Sequence, residues 1–338
     1  MTRSSPDLHA GFQLETFRNP WGFGNPHLQT LLGRSLRPRP DPGLIRERWE
    51  TADGDFLDLD FGPEPSPDCP IVVLLHGLEG STARGYIRMS MLEILRWGMQ
   101  PVGLNFRSCS GEPNRLPRFY HSGETADLAW VVEQIQRRHP QRPIGAIGFS
   151  LGGNVLLKYL GEEEASGRSP LRAAATLSVP FDLAAGVRAL GWGPMGSIYT
   201  RYFLNSLRRK TRLKESVLAS RVDLDQIHAA RTLEEFDDAF TAPLHGFPNA
   251  QTYYQESSSA RFLPLIRTPT LILQAKDDPF LPREALPETE IRRNPWLFDG
   301  VQRSGGHVGF VEWSRRSGAT RFWGEREAAR YLSAILGG

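Results

Sequence analysis

Cysteine is nearly absent from this chain. Two residues, Cys69 and Cys109, occur among 338, and they lie 40 positions apart. A disulfide framework is excluded, and so is a zinc site built from closely spaced thiolates. A reducing compartment is the simpler expectation. Long apolar runs are missing as well. No stretch reaches the roughly 18 apolar residues of a membrane-spanning candidate. The first residues, with Asp7, His9 and Glu15, lack the apolar segment of a signal peptide. Together these absences lead to the expectation of a cytoplasmic protein. Excess charge of either sign is lacking too: 40 basic and 38 acidic residues leave a net charge of +2. Composition therefore gives no case for nucleic acid. Neither His-Glu-x-x-His nor Gly-x-x-x-x-Gly-Lys is present, so no metal and no cofactor is expected. No internal repeat or low-complexity tract occurs.

The composition that remains, 40% hydrophobic and 23% charged, is that of an ordinary globular protein. Its most informative stretch is Ile144 to Asn154. An apolar run, Ile144 to Ile147, reads as a buried strand. Gly148-Phe149-Ser150-Leu151-Gly152 fits Gly-x-Ser-x-Gly, and helical spacing follows from Asn154 to Leu160. Strand, glycine-flanked serine and helix together are the setting of a nucleophile elbow. The turn is too sharp for side chains two positions either side of the serine. The hydroxyl is left exposed, beside N–H groups at a helix N-terminus, where negative charge is favoured.

Other segments supply a sheet around this turn. Residues 46–51 and 55–61 alternate polar and apolar about Asp53-Gly54, a hairpin signal. Ile71–Leu75, Pro101–Phe106, Leu171–Val179, Thr270–Ala275 and Trp296–Val301 read as strands, the first a solid apolar run suited to a central parallel position. Helical spacing covers Tyr86–Trp97, Gly123–Arg138 with Ser122 as its cap, and Gly324–Leu336. Between Phe181 and Leu263 the strand pattern stops. Tyr199–Lys214, Leu233–Ala239 and Ala250–Glu256 read as helices of an insertion. The expected organisation is an N-terminal arm (1–45), an α/β core (46–180 and 264–338) and a helical cap (181–263). In the arm, Pro26 opens a short helix, and Trp21 or His27 is available to line the mouth of a substrate site. Arg208, Arg209, Lys210, Arg212 and Lys214 read as a solvated helix face that would also suit anionic lipid head groups.

The chemistry is carried by residues at the C-terminal ends of separate strands. Lys276-Asp277-Asp278-Pro279 follows one strand, and Gly305-Gly306-His307-Val308-Gly309 follows another. Ser150, Asp278 and His307 then stand in the order nucleophile, acid, base. A serine hydroxyl needs a base near neutral pH, which imidazole supplies. The aspartate orients the imidazole and stabilises its charged form. Asp278 is preferred to Asp277 because Pro279 and Pro282 fix the turn after it, though the adjacent acids leave the choice open. The N–H groups of Leu78 and Leu151 are the expected oxyanion hole. His76 reads as a brace of its loop, Cys109 as a packed thiol, Arg107 and His121 as structural residues. This predicts a serine hydrolase of small-molecule carboxylic esters with short- to medium-chain acyl groups. The alternative is acyl transfer to an alcohol or thiol with the same residues, and the second alternative is a non-catalytic binding protein. Oligomeric state stays open.

The sequence also resembles a known family, the YheT-like, ABHD1/ABHD3-type and EMB8-like α/β-hydrolases. The resemblance rests on Asn25-Pro26-His27-Leu28-Gln29-Thr30, His76-Gly77-Leu78-Glu79-Gly80-Ser81, Asn105 to Asn114, His121-Ser122-Gly123-Glu124, Gly148 to Asn154, Asp277-Asp278-Pro279-Phe280 and Gly305 to Phe310. It implies an α/β-hydrolase fold, a mostly parallel sheet with helices on both faces and a helical cap. It also implies ester hydrolysis with Ser150, Asp278 and His307 as the charge-relay residues. The family often carries Gly where Ser108 stands.

Overall fold

In the computed structural model, residues 7–166, 169–314 and 318–337 are described; the first six positions of the expected arm lie outside them. Eight strands form the main sheet: β1 (Ile45–Glu50), β2 (Phe56–Phe61), β3 (Ile71–Leu75), β4 (Gln100–Asn105), β5 (Ile144–Phe149), β6 (Leu171–Leu177), β7 (Thr270–Leu273) and β8 (Leu297–Asp299). Their spatial order is β1-β2-β4-β3-β5-β6-β7-β8. β2 runs antiparallel to both neighbours, and all other pairs are parallel. The Asp53-Gly54 turn joins β1 to β2, with Gly54 at φ +82. Cross-strand forks from Arg46 to Asp60 and from Arg48 to Asp58, each 2.8 Å at Nε, fix its register.

The helices in chain order begin with α1 (Pro26–Leu36), α2 (Gly85–Arg96), α3 (Ala126–Arg138) and α4 (Leu151–Ser166). The insertion carries α5 (Leu183–Leu190), α6 (Gly193–Leu213), α7 (Glu215–Leu218), α8 (Leu224–Ala229), α9 (Leu233–Phe236), α10 (Ala242–Leu244) and α11 (Ala250–Ser257). A π-helical turn, Asp237–Thr241, links α9 to α10. The chain closes with α12 (Glu288–Arg293) and α13 (Trp323–Leu336). Side chains alternate across the sheet. Val72, Leu74, Ile147 and Leu271 face α2 and α13, while Val73, Leu75, Ala146 and Ile272 face α3 and α4. This double burial explains why the central strands read as solid apolar runs rather than as alternating ones. Among the described residues, no helix is long and apolar enough to cross a membrane.

Several local expectations are corrected. β6 ends at Leu177, because Ser178 turns to φ +54, and the strand expected over 270–275 stops at Leu273. The helix expected from Gly123 starts at Ala126, and Ser122 does not cap it. The Ser122 backbone is taken by Tyr253, whose hydroxyl accepts its N–H at 2.9 Å, and by Asn154, which donates to its carbonyl at 2.8 Å. Glu124 instead accepts the Ala126 N–H at 3.0 Å. A short hairpin, β9 (Val311–Ser314) with β10 (Ala319–Phe322), precedes α13 and was not expected.

The insertion has its own apolar cluster, including Leu190, Leu204, Leu218, Phe236 and Phe240. Phe119, from the β4–α3 connection, enters that cluster and fastens it to the core. The basic cluster on α6 is only partly solvated. Lys210 bonds Glu79 Oε1 at 2.8 Å, and buried Lys214 bonds Asn114 Oδ1 at 2.7 Å. Arg209 and Arg212 remain exposed. Burial pushes the Lys214 ammonium down to about 8.

Candidate active site

Ser150 sits between β5 and α4 at φ +52, a conformation that an L-residue occupies only under strain. Its N–H donates to Leu177 O at 2.8 Å, and its own carbonyl accepts from Gly153 and Asn154, so the helix begins immediately. The flanking glycines are required by contact. A Cβ on Gly152 would lie 2.6 Å from the carbonyl oxygens of Leu75 and His76, and one on Gly148 would lie 2.5 Å from Gly152 O. The sharp corner predicted from sequence is therefore fixed by backbone against backbone.

Histidine and acid arrive from the far end of the chain. The His307 Nε2 lies 2.9 Å from Ser150 Oγ. Its Nδ1 lies 2.9 and 3.1 Å from the two oxygens of Asp278. Asp278 is buried and also accepts from Gln274 Nε2 at 3.2 Å and from the Phe280 N–H at 2.8 Å. The ring of Phe280 stacks on the imidazole, centroids 4.0 Å apart. Asp277 does something else: its Oδ1 accepts the Gly306 N–H at 3.0 Å. Burial raises the Asp277 carboxyl despite that bond. Of the two adjacent acids, Asp278 holds the imidazole and Asp277 holds the loop that carries it.

That loop is strained. Val308 and Phe310 lie at φ +50 and +44, a region that bulky side chains avoid. It is kept there largely by α1. Thr30 Oγ1 accepts the His307 N–H at 2.9 Å. Gln29, fully buried, accepts from Val311 N at 3.0 Å and donates to Val311 O at 3.2 Å. Arg37 donates to Gly309 O at 2.9 Å and pairs with Glu325 at 2.5 Å. From the other side, Ser178 Oγ accepts the Val308 N–H at 2.8 Å. From sequence this arm has a short helix opened by Pro26 but no hold on the histidine loop, and no role is assigned to Gln29, Thr30, Arg37 or Gln274. Gln29 and Thr30 appear in the sequence only within the motif that carries the family resemblance, and Arg37, after α1, and Gln274, after β7, have no signal there.

The loop after β3 completes the site. The N–H groups of Leu78 and Leu151 are paired with no protein acceptor among the described residues. Their neighbours are occupied: Gly77 N–H donates to the Tyr86 hydroxyl at 3.0 Å and Glu79 N–H to the Tyr120 hydroxyl at 2.8 Å. Glu79 itself is at φ +54. His76 lies fully buried beneath. Its Nδ1 is 2.8 Å from Gly77 O, and its Nε2 accepts from Phe106 N at 3.2 Å. Burial pushes its imidazole down to about 3, so it stays neutral and braces the turn.

The remaining candidates fall outside the reacting centre. Arg107 is locked between Asp127 at 2.7 Å and Asp55 at 2.8 Å. Cys109 is buried against Lys210, and burial pushes its thiol up to about 11. His121 lies in the wall of the cavity beneath the insertion, its ring centroid 4.4 Å from that of His245. Trp21 does not line the mouth: it is fully exposed on a distant groove. His27 stacks on Tyr199 behind the site, with Nδ1 3.2 Å from its hydroxyl. Among the described residues, no cluster could hold a metal ion.

Two cavities meet at Ser150 and His307. One, of about 110 Å³, runs beneath the insertion and is walled by apolar side chains such as Val187, Leu190, Leu233 and Phe240. The other, of about 250 Å³, opens between α1, α2 and α6. Phe203 and Phe280 line both.

A family profile described as the alpha/beta hydrolase fold matches residues 70–312. Over 294 residues the chain is 38% identical to YheT of Escherichia coli (strain K12), which spans 86% of this chain and 85% of that one. It is 31% identical to human phospholipase ABHD3 over 299 residues, or 86% of this chain and 72% of the relative. In fold alone it resembles the Pyrococcus furiosus esterase Pf2001, with a TM-score of 0.58 at 15% identity, over 96% of this chain and 100% of that one. With the strand order and the serine elbow described above, these matches place the chain in the α/β-hydrolase family, within its YheT- and ABHD3-type branch.

Proposed function

We propose that this chain is a serine hydrolase of carboxylic esters that works through an acyl-enzyme on Ser150. The observation that carries the reading is the continuous relay from Asp278 through His307 to the Ser150 hydroxyl, set where two cavities meet. In the first half-reaction Ser150 Oγ bonds to the acyl carbon as His307 Nε2 takes its proton. The ester C–O bond breaks, and the imidazolium gives that proton to the leaving alcohol. Asp278 stabilises the imidazolium between the two transfers. The unpaired N–H groups of Leu78 and Leu151 face the oxyanion, where each donor is worth about 10²–10³ in turnover. Water then repeats the sequence and releases the acid. The apolar cavity, at about 110 Å³, is smaller than the ~150 Å³ void that admits a benzene ring, which favours acyl groups at the short end of the range.

Labelling by a fluorophosphonate, lost in Ser150→Ala, together with a p-nitrophenyl acyl ester series, tests the reading. The expected result is labelling of the native protein and a rate optimum at a short acyl chain. Folded protein that neither labels nor turns over any ester would overturn it. Added alcohol in the same assay reports whether water or an alcohol resolves the acyl-enzyme.

A further inference from the structure

The larger cavity at Ser150 is walled by cations that have no carboxylate. Arg34, Arg39 and Arg84 all line it, together with Tyr202 and His307. Among the described residues, none of these three guanidiniums makes a salt bridge, whereas Arg37 beside them is neutralised by Glu325. Arg34 and Arg84 instead converge on one neutral atom. Each donates to the Tyr202 hydroxyl oxygen, at 2.9 and 3.2 Å, and Arg34 also stacks over that ring at 4.3 Å. Arg84 is further oriented by Glu79 O at 2.7 Å. The carboxylate of Glu79, whose backbone carbonyl holds Arg84, is spent on Lys210, Ser206 and Tyr120. Burial alone would raise the Tyr202 phenol, yet the charges of Arg84 and Arg34 hold it below its ordinary value.

Two guanidiniums sharing one oxygen repel each other, and this repulsion is relieved by whatever anion enters between them. Guanidinium forks match carboxylate and phosphate oxygens in geometry as well as charge. We infer that the half of the ester lying outside the apolar cavity, the alcohol half, carries an anionic group, a carboxylate or a phosphate, seated on Arg34, Arg84 and Arg39. This deepens the ester-hydrolase reading and rests on it. Bringing a charged substrate to a cationic mouth also speeds its capture, in a salt-dependent way.

The test compares kcat/KM for three butyryl esters: of glycerol, of glycerol 3-phosphate and of glycolate. The native enzyme should prefer at least one anionic ester over the neutral one by about tenfold or more. That ratio should fall towards one in Arg34→Gln and in Arg39→Gln, and in part in Arg34→Lys, which keeps the charge but loses the fork. Which anionic ester leads separates phosphate from carboxylate. A second arm titrates glycerol 3-phosphate and glycolate into folded Ser150→Ala protein, with and without Arg34→Gln. Binding that Arg34→Gln abolishes supports the subsite even if no ester is turned over, so the two readings can fail separately. Turnover of the neutral ester with a native ratio near one, a ratio unmoved by the arginine variants, or no binding of either anion would overturn the inference.

Discussion

Asp277 and Asp278 are neighbours in sequence and yet face different donors. Asp278 meets the imidazole Nδ1, and Asp277 meets the Gly306 amide. In Asp278→Asn, an amide NH₂ faces Nδ1 and favours the wrong tautomer, so kcat should fall by about 10³–10⁴. In Asp277→Asn, Oδ1 still accepts the loop amide, and kcat should stay within about tenfold. Steady-state rates on one p-nitrophenyl ester check both, and a reversed ranking would exchange the two roles. Ser108 poses a smaller question. It lies at φ +62, where glycine is at ease. Its Oγ lies 2.5 Å from Asn114 Oδ1 and 3.2 Å from Asn114 N. Relieved backbone strain and lost hydrogen bonds should nearly cancel in Ser108→Gly. The shift in unfolding free energy, read from urea denaturation, should be within about 1 kcal/mol.

Among the elements, α1 is the one whose importance exceeds its contacts with the core. Its Asn25 side chain caps it by accepting from His27 N and Leu28 N at 2.9 and 3.1 Å, which orients Gln29 and Thr30 inward. Gln29→Ala leaves the Val311 N–H and C=O, both in a buried residue, without their partner. It should destabilise the fold by about 2–4 kcal/mol, since each unsatisfied group costs roughly 1–3 kcal/mol. It should also lower kcat by relaxing the strained loop that bears His307. Urea denaturation and kcat measured on the same preparation check the pair. Lost stability with unchanged kcat would show that α1 clasps the core without positioning the base. None of this could be read in the sequence, because the partners Gln29 and Val311 lie 282 positions apart.

At the scale of the whole molecule, buried histidines set the response to acid. Burial holds His76, His121 and His245 neutral, each down to about 3 from an ordinary 6.5. With folded values lowered, the folded state binds fewer protons than the unfolded one between these limits. Stability is full above pH 6.5 and declines as pH falls towards 3. Three such groups give a slope of up to about 4 kcal/mol per pH unit. Asp237, raised to about 6 by burial, acts in the opposite sense. Its folded state keeps a proton that the unfolded state loses between pH 3.8 and 6, so it removes up to one proton from that slope. Urea midpoints should therefore drop steeply from pH 7 to 5, and His121→Gln with His245→Gln should flatten the drop. A flat native profile would mean that these imidazoles take up protons without unfolding the chain.

By itself the sequence determined the sheet, the order of its chemistry and the elbow. These follow mostly from neighbours: apolar runs set the buried strands, and Gly148 is dictated by the nearby Gly152 carbonyl, whereas Gly152 is dictated by the carbonyls of Leu75 and His76 at the end of β3. It also placed His307 and two adjacent acids after strands, in the order that a relay requires. Only the tertiary structure set Asp278 rather than Asp277 against the imidazole, spent Lys210 and Lys214 inside the fold, moved the start of α3 and gave the N-terminal arm its hold on the histidine loop. The same is true of the arginines gathered at the second cavity. Each of these outcomes depends on where distant side chains and backbone meet in space, and hydrophobic periodicity along the chain carries no record of such meetings.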